Sequence, residues 1–207
     1  MQNHGGYRDA YDNFKTDVYG TNVSYSDVNQ YLSLAHQTDL AVKDLISYFS
    51  KEKEPVVICF FGDHQPSLNT AFYRRLNGKG LSGLTLEELE ELYEVPFFIW
   101  TNYESESETV ERTSLNFLST MLLERAGIPL SPYQSFLSDL RKEVPAMNAR
   151  AYYSNDRKRY VHYGEGSRKE EVWIDRYRIL QYNGLFDNKN RSTEFFKHQQ
   201  TEQEKTP

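Results

Sequence analysis

The chain has 207 residues, 38% hydrophobic and 26% charged, with a formal net charge of -6 at pH 7. That length suits one substantial domain with appendages, and the composition excludes a disordered chain. The acidic balance lacks the basic footprint of phosphate-backbone binding and argues against nucleic acid as a partner, while a cation or a local basic pocket can still recruit a small anion.

One cysteine, Cys59, rules out an intrachain disulfide and reads as a packed, inert thiol. No apolar stretch approaches the roughly 20 residues that span a bilayer, and the first residues hold neither a basic nor an apolar leader region. As written, the chain reads as soluble.

In chain order, residues 7–26 are rich in Tyr, Asp, Asn and Gly and read as an ordered, irregular loop. Val28, Tyr31, Leu32, Ala35, Val42, Leu45, Ile46 and Phe49 then recur at three- and four-residue steps. They predict an amphipathic helix over 27–50, capped by Ser26 or Asp27. The run "VVICFF" and the later "VPFFIWTN" read as strands buried on both faces, and helix, loop and buried strand suggest part of a parallel α/β sheet. Between them, 67–76 reads as a helix opened by Pro66, followed by a glycine-rich loop.

"TLEELEELYE" carries Thr85 with Glu88 three residues on, a capping box on a solvated acidic helix. A helix over 114–126 stops at Gly127, one more short helix precedes residue 150, and a hairpin with a terminal helix or strand follows. Three parts are expected: a main domain over 1–150, a small α+β subdomain over 151–192, and a flexible tail over 193–207.

The segment "VVICFFGDHQPS" carries the chemistry. In open parallel sheets ligands gather beyond the carboxyl ends of strands, which is where Gly62, Asp63 and His64 fall. A carboxylate and an imidazole at the mouth of a dry sheet would be costly unpaired, and a divalent cation would relieve that cost. An Asp capping the next helix beside a surface His is the alternative reading, and the dipeptide alone leaves both open.

Taken in order, "MQNHGGY", "YLSLAHQTDLAVKDLISYF", "VVICFFGDHQPSL" and "VPFFIWTN" resemble the C-terminal half of the lipoteichoic acid synthase and phosphoglycerol transferase branch of the sulfatase, or alkaline phosphatase, superfamily. The ending "YRILQYNGLFDNKN" is also similar. The resemblance implies a partial alkaline-phosphatase-like parallel sheet flanked by helices. It implies that Asp63 and His64 bind a divalent metal, manganese first, with zinc, magnesium or calcium as alternatives. It makes His4 a contact for the substrate's phosphoryl group.

In the family a metal-bound threonine attacks a phosphate or sulfate ester to give a covalent intermediate, released to an acceptor alcohol or water. That nucleophile and a further acidic ligand stand on earlier strands, behind membrane-spanning helices. No threonine here has that context, and Met1 reads as an internal methionine. The expectation is therefore an enzyme fragment, inactive alone, whose whole acts on a phosphoglycerol lipid or glycan phosphoester at the outer face of the cytoplasmic membrane. The alternative is a non-catalytic phosphate- or glycan-binding module of the same fold.

The remaining candidates are weaker. Trp100 and Asn102 close the second strand, are read at the same sheet edge as Asp63, and offer pocket lining or packing. Tyr7, Tyr11 and Tyr19 offer headgroup contacts or packing. Thr38 and Asp39 read as buried mid-helix residues with a local hydrogen bond. Ser67 offers a contact behind the metal pair, and His36, His162 and His198 read as surface.

Overall fold

The computed structural model describes residues 6–7, 16–18 and 25–198, which fall in two compact units, Met1–Glu104 and Ser105–Pro207. No helix of the described residues is long and apolar enough to cross a membrane.

The first unit opens with α1 (Ser26–Phe49), as the apolar periodicity predicts. Its first turns are sunk: Asp27, Val28, Asn29, Gln30 and Ser33 are all buried. The Ser33 hydroxyl donates to the Asn29 carbonyl and accepts from the Asp17 and Val18 amides. Further along, the inward stripe of Thr38, Val42, Ile46 and Phe49 is only half-buried. The cap is Tyr25 and makes no side-chain cap bond, which corrects the role expected of Ser26 or Asp27. The Asp27 carboxylate instead accepts the backbone N–H of Asn69, 2.7 Å away.

β1 (Val57–Phe61) and β2 (Phe97–Thr101) follow as expected, but they pair antiparallel, Val57 opposite Thr101 and Phe61 opposite Phe97. This corrects the parallel sheet. An unbroken apolar run reports burial and carries no direction. Direction is set by the excursion over 62–96, which leaves one end of the sheet and returns to it, where the Gly62 N–H donates to the Pro96 carbonyl at 3.0 Å. Two-face burial is corrected as well, since β1 and β2 are half-buried and Phe61 is 44% exposed.

The excursion holds α2 (Thr70–Asn77), a 3₁₀ turn at Leu81–Gly83 and α3 (Leu86–Glu91). α2 starts later than expected because Asn69, not Pro66, opens it: the Asn69 side chain accepts the Ala71 N–H at 2.8 Å. Gly78, at φ 71°, ends it in the left-handed region that favours glycine. The capping box on α3 forms as predicted, Thr85 with Glu88. The acidic run is not wholly solvated, however, for Glu90 is 3% exposed.

The second unit contains α4 (Leu115–Ala126), α5 (Pro132–Glu143), an antiparallel hairpin of β3 (Ala151–Ser154) and β4 (Arg159–His162), α6 (Arg168–Leu185) and α7 (Thr193–Phe196). Among the described residues nearly all the buried apolar side chains lie here, including Phe117, Leu140, Val144, Tyr152 and Ile174. The Glu170 carboxylate, 1% exposed, accepts the Ser154 hydroxyl and the Ser167 and Asp156 amides, so the hairpin is locked to the start of α6. Within the stretch expected as a tail, Thr193–Phe196 is helical, and the Phe196 ring packs on Tyr133 at 5.1 Å between centroids. Residues 199–207 lie outside the described residues. The α/β class therefore stands, built from helices and two small antiparallel sheets.

Candidate metal and phosphoester site

β1 ends against its neighbour's lead-in. A Cβ on Gly62 would stand 3.0 Å from the Val95 Cβ, so the chain passes this point only because no side chain is there. Asp63 and His64 follow immediately. Asp63 Oδ1 accepts the His64 backbone N–H at 3.0 Å, which turns Oδ2 toward the imidazole, 3.6 Å from Nε2. The other ring nitrogen, Nδ1, lies 2.9 Å from the Gln65 carbonyl. A carbonyl only accepts, so this contact places a proton on Nδ1, and in the neutral ring Nε2 then carries the lone pair.

With the ring neutral, a carboxylate oxygen and an imidazole nitrogen offer two electron-pair donors across a 3.6 Å gap. Adjacent ligands on one divalent ion, each bonded at roughly 2.1 Å, take such a spacing, and a ligating His whose second nitrogen donates to a carbonyl is the usual support for it. The donor set fits the cation that the resemblance implies. Among the described residues no group of three or more His, Cys, Asp or Glu side chains forms a metal-holding cluster, so the fit rests on a pair.

The side chains of Asp63 and His64 are 68% and 58% exposed, so water solvates them and desolvation cost supplies no reason for a cation. Orientation supplies it instead. The alternative of Asp63 capping the next helix is also displaced, because Asn69 caps α2.

Beside the pair lies a cavity of about 440 Å³ walled by Leu34, Val42, Phe60 and Phe98, with His64 and Gln65 also lining it. Thr38 and Asp39 line the same cavity. Thr38 makes the local bond expected of it, donating to the Leu34 carbonyl at 3.1 Å, whereas Asp39 is exposed rather than buried.

Trp100 stands opposite Ile58, with Phe97 opposite Phe61. Antiparallel pairing thus puts Trp100 on the order of 15 Å along the sheet from Asp63, correcting the shared edge. Asn102 lies beyond it at that far end, and its side chain is consumed in structure. It accepts the Val56 amide at 2.8 Å and donates to the Glu52 and Glu54 carbonyls at 3.0 and 2.9 Å.

The Tyr7 ring packs edge-on against Tyr31 at 5.5 Å. His4, Tyr11 and Tyr19 lie outside the described residues. Ser67, His36, His162 and His198 are exposed, and burial pushes the Cys59 thiol up, in keeping with an inert role.

Sequence reasoning missed Gln65, whose side-chain amide donates to the Glu94 carbonyl, and Asp27, whose partner is 42 residues away. No local signal announces either contact, because both partners are remote backbone groups.

Comparison with known proteins gives the following. The sulfatase family model matches residues 1–128. A Rhizobium meliloti (strain 1021) protein named for cyclic beta-1,2-glucan modification is 24% identical over 205 residues, 95% of this chain and 32% of that protein. The structure of the Streptococcus pyogenes phosphoglycerol transferase GacH in complex with sn-glycerol-1-phosphate superposes with a TM-score of 0.63 at 19% identity, over 87% of this chain and 42% of that one. The chain thus spans about a third of the curated relative, and less than half of the solved neighbour, while sharing its fold.

Proposed function

This chain belongs to the sulfatase family, and from that premise we propose that it supplies the Asp-His arm of a metal-dependent phosphoglycerol transferase acting on phosphate esters of the cell envelope. The observation that carries the reading is the convergence of Asp63 Oδ2 and His64 Nε2 to 3.6 Å at the end of β1. The GacH neighbour, solved with sn-glycerol-1-phosphate, and the glucan-modification relative support a phosphoglycerol group moving between lipid and glycan partners.

In this reading Asp63 and His64 hold a divalent cation, manganese first. When bound, the cation neutralises charge on the transferring phosphoryl group and lowers the pKa of the attacking hydroxyl. Asp63 contributes an anionic oxygen, and His64 a neutral imidazole nitrogen oriented by the Gln65 carbonyl. His4 contacts the phosphoryl oxygens. The nucleophile, a threonine by family analogy, comes from outside the residues of this chain, so the chain by itself holds part of a site.

The test is an assay of phosphoglycerol release and transfer, with manganese, by the protein that carries this chain. Activity is expected to fall to background when Asp63 and His64 are both replaced by Ala. Turnover that survives the double replacement removes the mechanism. Binding of a phosphorylated glycan with no turnover in any metal favours the non-catalytic module instead.

A further inference from the structure

We propose that Gln65 is the positioning residue of the Asp63–His64 pair, an inference that rests on reading the pair as cation ligands. Both side chains are more than half exposed, so packing does not hold their rotamers, and hydrogen bonds must do so. Those bonds form a short chain. Asp63 Oδ1 takes the His64 amide, His64 Nδ1 meets the Gln65 carbonyl, and the Gln65 side-chain amide donates to the Glu94 carbonyl.

On the other side of the pair, the Gly62 N–H donates to the Pro96 carbonyl. The pair is therefore bracketed, fastened before and after to the lead-in over 94–96. Releasing the Gln65 side chain removes the tie between the residue after the pair and the lead-in, while Gly62 keeps its own. The carbonyl that sets the imidazole's tautomer is then free to turn away, and with it goes the bias that keeps a lone pair on Nε2 facing Asp63.

The side chain's chemistry is specific. Glutamine offers an N–H donor long enough to reach a carbonyl across the gap. Methionine has the length without the donor, asparagine the donor without the length, and lysine has both.

The test uses the full chain. Ring ¹⁵N shifts of His64, read metal-free at mildly alkaline pH, report its tautomer, and a manganese titration reports affinity. Wild type is expected to hold the proton on Nδ1. Gln65→Met and Gln65→Asn are expected to move it toward Nε2 and weaken manganese binding by roughly tenfold or more, with little change in melting temperature. Gln65→Lys is expected to restore the tautomer, its added positive charge making the metal affinity an uninformative readout for this variant. An unchanged tautomer in Gln65→Met and Gln65→Asn overturns the proposal, whatever the metal does. A shifted tautomer in a protein whose wild type binds no manganese upholds the positioning and sinks the cation reading.

Discussion

The carboxylate of Asp27, 6% exposed, accepts the backbone N–H of Asn69 at 2.7 Å, tying the first turn of α1 to the residue that caps α2. A buried charged acceptor of this kind contributes about 2 kcal/mol, and its loss also strands the amide. Asp27→Ala is expected to lower the melting temperature by roughly 4–8 °C for a chain this size. Asp27→Asn, which keeps an acceptor oxygen, should lose less. Thermal unfolding of the three proteins decides, and an Asp27→Ala curve superimposed on wild type would refute the tie.

Gly62 is set by contact rather than by backbone angle. An added methyl would stand 3.0 Å from the Val95 Cβ and 3.3 Å from its Cγ1, and a branched residue on a strand lead-in has little room to yield. Gly62→Ala is expected to cost about 1–3 kcal/mol and, on the proposed reading of the adjacent pair, to weaken any divalent-cation binding there. Combining it with Val95→Ala should recover part of both losses, measured by denaturant unfolding and metal titration. Strict additivity of the two substitutions would show that the contact does not limit the turn.

Glu88 gives a pH signature. The Lys79 ammonium, 2.8 Å away, and the Thr85 amide hold its carboxyl down to about 2 from an ordinary 4.5. A depressed folded value means that the stabilisation is complete above the unfolded value and disappears as pH falls from about 4.5 toward about 2. Wild type and Glu88→Gln should therefore differ most near neutrality and converge through that acid window. A difference that is flat, or that widens on acidification, contradicts the assignment.

In the second unit Gly166 is held tightest. A Cβ there would fall 1.6 Å from the Tyr152 hydroxyl oxygen and 3.0 Å from Glu170 Oε2. Tyr152 is wholly buried, and its hydroxyl donates to Glu171 Oε1 at 2.7 Å. Burial and that carboxylate push the phenol well above its ordinary range. Gly166→Ala is expected to cost about 3 kcal/mol or more. Tyr152→Phe removes the 1.6 Å contact and the hydrogen bond but keeps the ring carbon at 2.7 Å, so the double variant should recover only part of the loss. Urea denaturation reads the difference, and a stable Gly166→Ala single variant would show that the turn between β4 and α6 accommodates a side chain there.

Local chemistry was legible in the sequence, and long-range geometry was not. The period of α1, the Thr85–Glu88 box and the Gly127 stop are contacts within one turn, and each appears as read. Asp63 and His64 were legible because they are neighbours in the chain. The direction of β2 was not, because an all-apolar strand presents the same pattern whichever way it runs, and Trp100 was misplaced with it. Exposure of the pair was also hidden, since an apolar strand suggests a dry mouth while a two-stranded sheet cannot make one. Pro66 looked like a helix opener because its ring suits a first turn, yet Asn69 starts the helix, its amide held by a carboxylate far back in the chain.

The excursion from β1 to β2 leaves and re-enters at one point, closed by the Gly62–Pro96 bond. With the Gly62–Val95 contact and the Gln65–Glu94 bond kept, the stretch from α2 to α3 can lengthen, shorten or change sequence without altering which residues of the strands stand opposite one another. Loop length carries only a logarithmic entropic cost once its ends are pinned. Variation confined to α2, the 3₁₀ turn and α3 can therefore reshape the surface beside Asp63 and His64 while the strands beneath them stay in step.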